Sequence, residues 1–136
     1  MAHLLPTNFD LSQIDESEQG VVKKLLDVMS DSWYVVPNIP ITVRGKDREI
    51  DVALVSFDHG VHILEIKGGI ITVADGQWKS NNVSIQDPVL QVTAALHTLV
   101  KRLQKMKVDT RTFRIHKYLV FPDITDFPAD GAGTGC

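Results

Sequence analysis

Residues 48–68 read REIDVALVSFDHGVHILEIKG, two apolar runs separated by a short turn. The runs, at about 49–56 and 61–67, are rich in Val, Ile and Leu. Runs of this length and composition predict a pair of β-strands. Because only the few residues around 57–60 join the strands, they must run antiparallel. The sequence therefore predicts a β-hairpin at the centre of the fold.

Both faces of the second strand are largely apolar, apart from two charged residues at its end. Side chains alternate between the faces of a strand, so Ile63, Glu65 and Lys67 share one face. Apolar residues on both faces predict a central strand that is covered on both sides, and charged groups at its end would need partners. In the first strand, Asp51 is predicted to share a face with Ala53. The opposite face of that strand is predicted to carry Ile50, Val52 and Leu54.

The register of the hairpin decides whether the acids meet. If Ser56 pairs with Gly60, then Asp51 falls opposite Glu65, with Cβ atoms ~5 Å apart. Two carboxylates at that distance repel unless a cation lies between them, and Mg²⁺ or Mn²⁺ is the natural partner for oxygen ligands. A one-residue slip would place the acids on opposite faces. Alternatively, Lys67 forms an ion pair with Asp51 or Glu65 and no metal is bound.

Two further polar residues are predicted to point toward this hairpin. Glu18 is in line with the apolar residues of a helix at about 15–30, so it faces the core side. Alternatively, it is the capping-box partner of the N-cap residue Asp15. Gln91 lies in the first turn of a second helix, above Ala95 on the packed face. An inward amide there could hold a phosphate, a water or a ligand carboxylate; alternatively, it is an ordinary polar residue at a helix start.

The remaining elements are predicted to cover the hairpin with helices and to extend the sheet. Their signals include the N-cap residues Asp15 and Asp87 and the Asp-Gly turn at 75–76. In chain order they are a helix at about 15–30, an edge or interrupted strand at 33–43, a polar turn at 44–47, the two hairpin strands, a small hairpin at 70–78, a helix at 87–106 and a strand at 113–121. This order predicts an α/β or α+β sandwich with a sheet between helices.

Length and composition predict one globular domain with loose ends. Of the 136 residues, 43% are hydrophobic and 23% are charged, as in ordinary soluble proteins. Residues 1–14 are predicted to form a loosely held arm, 15–122 the domain, and 123–136 a flexible tail that could lead to a further domain. The single cysteine, Cys136, fits a reducing compartment. The N-terminus lacks a signal-peptide pattern and no apolar run is long enough for a membrane helix, which predicts a cytoplasmic protein.

A local basic run contrasts with the formal net charge of −3. It extends from Lys101 to Lys117 and contains one acid, Asp109. Such a run can attract phosphates even on an acidic protein; alternatively, it is a solvated helix end and loop. The residues predicted to contact nucleic acid are Lys101, Arg102, Lys105, Lys107 and Arg111. The five histidines have no metal-ligand spacing and are interpreted as surface or turn residues.

The polar positions together resemble a known family. The residues that carry the resemblance are Glu18, Glu49-Ile50-Asp51, the run ILEIK at 63–67, Trp78 and Asp87-Pro88 with Gln91. In this order they are similar to the NERD, or nuclease-related, domain of the PD-(D/E)XK restriction-endonuclease-like superfamily. The resemblance covers about residues 15–121 and implies an αβββαβ core, an α/β fold whose central mixed sheet is flanked by helices. One departure is Gly68-Gly69, where members often carry a cluster such as Lys-Asn-Trp.

The resemblance also implies an activity and a set of roles. It implies a Mg²⁺- or Mn²⁺-dependent nuclease that hydrolyses DNA phosphodiester bonds in DNA processing or repair, with RNA as a further candidate substrate. Asp51 and Glu65 would bind the metal, and Lys67 would position or activate the attacking water. Glu18 and Gln91 match the helix acid and the glutamine of the family's site.

Two other functions stay open at this point. The modest basic run, the acidic net charge and Gly68-Gly69 favour a non-catalytic nucleic-acid-binding or scaffolding module that retains the nuclease fold. A metal-binding hydrolase of small phosphorylated ligands has no positive signal in the sequence. Salt-sensitive DNA binding without turnover would distinguish the first of these from a nuclease.

Overall fold

The computed structural model of the protein describes residues 1–43 and 45–124. Its helices and strands are β1 His3–Leu4, α1 Glu16–Val28, β2 Tyr34–Val43, β3 Lys46–Ser56, β4 Gly60–Ile66, β5 Ile71–Ala74, β6 Gln77–Ser80, β7 Val83–Ser84, α2 Pro88–Lys105 and β8 Ile115–Val120. Five strands form one sheet in the order β1-β2-β3-β4-β8, and a small sheet has the order β5-β6-β7. The first sheet is mixed, since β1 and β8 pair parallel and the other pairs are antiparallel. The predicted α/β fold with a central mixed sheet is confirmed.

Each helix covers one face of the five-stranded sheet. The α1-side cluster contains the buried residues Ala2, Ile14, Val22, Val35, Val52, Leu54, Leu64 and Ile66. The α2-side cluster contains Ile41, Ile50, Ala53, Ile63, Val92 and Ala95. Ile63 of β4 is fully buried at 0% exposure, as expected for a strand that is covered on both sides. Neither helix of the described ranges has the length and apolarity needed to cross a membrane.

The helices begin where the capping residues predict. The Asp87 side chain accepts a hydrogen bond of 2.8 Å from the Val89 N–H, and Pro88 opens α2. Asp15 is the N-cap residue of α1, although its own side chain makes no capping bond. Helix α1 ends at Val28, slightly before the predicted end near residue 30, because the backbone of Met29 is already extended at ψ 148°. This conformation turns the chain toward β2.

The predicted register of the central hairpin is confirmed. Ser56 pairs with Gly60, and the paired residues continue as far as Val52 and Leu64. Gly60 has a φ of 79°, and a Cβ atom added there would lie 2.3 Å from the Arg114 carbonyl oxygen. Only glycine meets both conditions, because it tolerates positive φ and lets β8 approach β4 closely. The turn predicted at 44–47 is shorter than expected, since Lys46 already pairs with Val43 in the β2–β3 hairpin.

A kink in β2 and β3, at the facing residues Asn38 and Asp51, changes the helix that the side chains beyond it face. Asn38 has a φ of 58°, and the paired residues skip Asn38 and Asp51, which stand opposite each other. A left-handed residue interrupts the regular alternation of a strand. Ile50 therefore packs in the α2-side cluster with Ala53, and the prediction that it shares a face with Val52 is wrong. The kink places Asp51 at the boundary between the two layers.

The N-terminal residues are not the loosely held arm that was predicted. Ala2 and Ile14 are each 8% exposed, and His3–Leu4 pairs in parallel with the start of β2. Leu4 and Phe9 pack against the α1-side cluster. These apolar side chains pack against the core and hold the segment in place. Of the predicted C-terminal tail, residues 125–136 lie outside the described ranges.

Candidate active site

Asp51 stands just beyond the last bonded pair of the central hairpin. Its Oδ2 atom accepts a hydrogen bond of 2.8 Å from the Ile66 N–H, which links the carboxylate to the neighbouring strand. The register that runs through Val52 and Leu64 places Glu65 directly across from it. This backbone hydrogen bond fixes the orientation of the Asp51 carboxylate toward the end of β4.

Glu65 and Lys67 lie side by side at the end of β4. The Lys67 Nζ atom is 3.4 Å from Glu65 Oε2, and their side chains are only 24% and 11% exposed. The ion pair that was predicted as an alternative to a metal site is therefore present. One lysine nevertheless faces two carboxylates, because Asp51 also interacts with its charge. The three groups carry an uncompensated negative charge when both acids are ionised.

Burial keeps these acids from ionising freely. Burial and, to a smaller extent, the Asp51 charge raise the pKa of Glu65 to about 7, although Lys67 opposes the rise. Burial likewise raises the pKa of Asp51, against the Ile66 N–H and the Lys67 charge. Carboxyl groups with raised pKa values in a cleft mark sites where protons or cations bind. A divalent cation would replace the protons that the acids otherwise hold.

Glu18 belongs to the same cluster and also caps its helix. It accepts a hydrogen bond from the Asp15 backbone N–H, as the capping-box alternative predicts. Its carboxyl group also interacts with Asp51, through hydrogen bonding and charge repulsion. Burial, and after it the charges of Asp51 and Asp15, raise the pKa of Glu18 to about 7. Glu18 therefore both caps its helix and belongs to the acidic cluster, as the two interpretations predicted.

Gln91 presents a buried acceptor at the site. Its Nε2 atom donates a hydrogen bond of 2.8 Å to Gln86 Oε1. Its Oε1 atom is buried, and no described residue donates a hydrogen bond to it. A buried carbonyl oxygen without a donor is costly. The unsatisfied oxygen indicates that a bound water or ligand supplies the missing donor.

A groove of about 1350 Å³ joins these residues into one surface between the β2–β3 hairpin and α2. Asp51, Glu65, Lys67 and Gln91 line it, whereas Glu18 reaches Asp51 from the α1 side. The structure thus brings together all five residues predicted for the site.

Of the residues predicted to contact nucleic acid, Arg102 lines this groove and the others do not. Arg102 lines it and donates to the Pro40 carbonyl at 3.3 Å, since its helical spacing follows Gln91 by three turns. Lys101, Lys105 and Lys107 are exposed outside it, and Arg111 pairs with Asp109 at 3.1 Å. Two groove cations that the sequence interpretation missed are Lys46 and Arg48. The sequence could have indicated these two residues, because a shorter predicted turn before β3 would have placed Lys46 and Arg48 on the same strand as Asp51.

The side chains at this site fit a hard divalent cation with few protein ligands. Within residues 1–43 and 45–124, no group of three or more His, Cys, Asp and Glu side chains is arranged to hold a metal ion. Asp51 and Glu65 would therefore supply two carboxylate ligands, with water and substrate completing the shell. Mg²⁺ commonly binds in this way, through one or two carboxylates together with substrate phosphates.

The raised pKa values have a consequence for the stability of the metal-free protein. In the folded protein the pKa of Glu18 and of Glu65 is about 7, whereas the ordinary value is 4.5. Between these pH values the folded state holds protons that the unfolded state has released. The free energy of unfolding therefore falls as the pH rises through this window, and the loss is complete above it.

Glu18→Gln is expected to stabilise the metal-free protein near pH 8 and to change little near pH 5. Glutamine cannot ionise, so it removes the repulsion of Asp51, and its amide oxygen can still accept from the Asp15 N–H. The expected rise in Tm at the higher pH is about 2–4 °C. Thermal unfolding in chelator checks this, with the exposed Glu16→Gln as matched control. An equal rise at both pH values would contradict the origin in charge repulsion.

Comparison with known proteins agrees with this geometry. The family model described as the nuclease-related domain, NERD, matches residues 15–122, which is most of the chain. No curated protein and no solved structure matches.

Proposed function

We propose, because this chain belongs to the NERD family of nuclease-related domains, that its groove hydrolyses DNA phosphodiester bonds with Mg²⁺ or Mn²⁺. Membership assigns a nuclease-related function within the restriction-endonuclease-like superfamily. One observation carries the finer proposal. The carboxyl groups of the half-buried Asp51 and the buried Glu65 meet within hydrogen-bonding reach beside Lys67, and all three residues line the groove.

Asp51 and Glu65 are the residues that would hold the cation. When bound, it would lower the pKa of a water molecule and offset the negative charge that develops on the phosphate oxygens. The Ile66 N–H keeps the Asp51 carboxylate in place through its 2.8 Å hydrogen bond. Glu18 adds a third acid, which raises the negative potential at Asp51 and so favours a cation there.

Lys67 and Gln91 act on the water and the phosphate. The Lys67 ammonium, held 3.4 Å from Glu65, can donate to the attacking water or to a phosphate oxygen. The free Gln91 Oε1 accepts a hydrogen from that water and so restricts its orientation. Together, Lys67 and Gln91 would fix the direction from which the water attacks, whereas a water molecule in bulk solution has no fixed orientation.

The walls of the groove supply contacts to the DNA backbone. Lys46 and Arg48 of β3 and Arg102 of α2 line the groove, and these cations would contact backbone phosphates near the scissile bond. These contacts carry no base information, which fits cleavage without strong sequence preference. We place the activity in DNA processing or repair in the cytoplasm, with RNA as a second candidate substrate.

Nicking of supercoiled plasmid by the purified protein tests this function. Nicked product is expected with Mg²⁺ or Mn²⁺, and chelator is expected to remove it. Plasmid that is bound in a salt-sensitive manner, but is not nicked with either metal, would contradict the proposal and favour a non-catalytic nucleic-acid-binding module.

A further inference from the structure

A surface rich in aromatic rings lies on the face of the sheet opposite Glu65. We call it the aromatic surface; its residues are Trp33, His59, His62, His116 and Tyr118. His62 pairs with Leu54 and Tyr118 pairs with Leu64, and both leucines belong to the α1-side cluster. Glu65 pairs with Leu119, which packs on the α2 side. The aromatic surface is therefore separate from the groove.

The rings of this surface stack on one another in a fixed arrangement. Trp33 and His59 stack with centroids 5.2 Å apart at an interplanar angle of 5°. His62 and His116 stack at 4.9 Å and 14°, and Tyr118 extends the stack at 5.6 Å from His62. Offset stacks at these distances are favourable. The outermost rings of the array, His59 and Tyr118, are exposed, so further flat rings can stack there.

Hydrogen bonds hold the central ring by its edges. His62 Nε2 lies 2.9 Å from the His59 carbonyl oxygen, so this nitrogen carries the proton and donates it. His62 Nδ1 lies 3.2 Å from the Tyr118 hydroxyl, which donates to it when the imidazole is neutral. Both ring nitrogens are therefore occupied and are not available to a metal ion. The geometry favours stacking over metal binding.

The exposed rings of this surface contribute little to the packed core. His59 is exposed in the β3–β4 turn and Tyr118 is 44% exposed, whereas Trp78 in the small-sheet cluster is 6% exposed. Arg114 is exposed, and its carbonyl oxygen accepts from the Val61 N–H, which continues the β4–β8 pairing one residue before β8; alternation along the extended chain therefore places its side chain on the same face as that of His116. A cation beside exposed rings complements a ligand that has both flat bases and phosphates.

We propose that the aromatic surface binds single-stranded nucleic acid by stacking its unpaired bases on these rings. In a duplex the base faces are covered by neighbouring base pairs, so only unpaired bases can stack on a protein. Arg114 contacts the phosphates, and the binding depends little on sequence because every base has a flat face. This site goes beyond the nuclease proposal, since it needs no metal and lies on the other face of the sheet.

Fluorescence anisotropy in chelator, which prevents cleavage, tests this site. The probe is an end-labelled oligothymidylate of about 15 nucleotides, and its partner is an abasic oligomer with the same number of phosphates. We expect the thymidylate to bind at least about tenfold more tightly than the abasic oligomer. His59→Ala and Tyr118→Ala are each expected to weaken thymidylate binding by about 5- to 50-fold and to leave abasic binding unchanged.

Two control variants keep the result independent of folding. Tyr118→Phe retains the ring and loses only the hydroxyl, so it is expected to bind thymidylate within about threefold of wild type. Ile70→Ala truncates a side chain that is 54% exposed in the segment before β5 and is expected to have no effect. Equal binding of the two oligomers, or unchanged thymidylate binding in both alanine variants, would overturn the proposal. Self-association of the protein that His59→Ala abolishes would also overturn it, because a second copy would then occupy the surface.

Discussion

Glu65→Gln is expected to remove metal-dependent nicking, with a loss of at least about 10²-fold. The substitution keeps the size of the side chain and an acceptor oxygen for Lys67, so the packing changes little although the ion pair is replaced by a neutral contact. It removes one of the two carboxylates that would hold the cation. Glutamine is a weak ligand for Mg²⁺, and Asp51 alone would then provide the protein ligands. Plasmid nicking with Mn²⁺, measured over time for variant and wild type, checks this result.

The binding of metal by this variant can be followed separately from cleavage. A cation that binds only the folded state raises the Tm, and the rise grows with its concentration. Wild type is expected to show this shift with Mn²⁺ near pH 8, where the acids of the site are ionised. Glu65→Gln is expected to lose most of the shift, and the exposed Glu16→Gln should retain both the shift and the nicking. Nicking by Glu65→Gln at the wild-type rate would exclude Glu65 as a ligand.

The central hairpin was predictable because a few local features determine it. Gly60 alone in the connecting turn has the positive φ that closes the hairpin, and the turn length then fixes which residues pair. The pairing of Ser56 with Gly60 brings Asp51 and Glu65 together whatever the rest of the chain does. Capping residues placed the helix starts for the same reason, since each cap depends on neighbours within one turn.

Features that depend on distant contacts were not predictable in this way. The left-handed Asn38 reverses the faces of β2 and β3 and so moves Ile50 to the α2 side, and nothing in its neighbours requires a kink there. Residues 1–14 have a composition that suits a loose arm, and only the α1-side cluster shows what they cover. The aromatic surface is likewise assembled from β4, β8 and the residue before β2, far apart in the chain.

Lys67→Ala is expected to reduce nicking by about 10²- to 10³-fold while leaving metal binding in place. The ammonium 3.4 Å from Glu65 is not a metal ligand, so its loss removes a donor to the water or phosphate but keeps both carboxylates. Without that positive charge the two acids repel each other more, and a divalent cation relieves more repulsion. The Mn²⁺-induced rise in Tm should therefore be as large as in wild type or larger, with the exposed Lys23→Ala as matched control.

The two variants together separate holding the cation from activating the water. Glu65→Gln is expected to lose both the Tm shift and the nicking, whereas Lys67→Ala loses the nicking alone. If Lys67 helps to generate hydroxide, a higher pH should partly restore nicking in Lys67→Ala, because bulk hydroxide becomes more abundant; no such recovery is expected in Glu65→Gln. Nicking within about threefold of wild type in Lys67→Ala would show that the water is oriented by other groups. Gln91, with its unpaired buried oxygen beside the same groove, would then be the residue to substitute next.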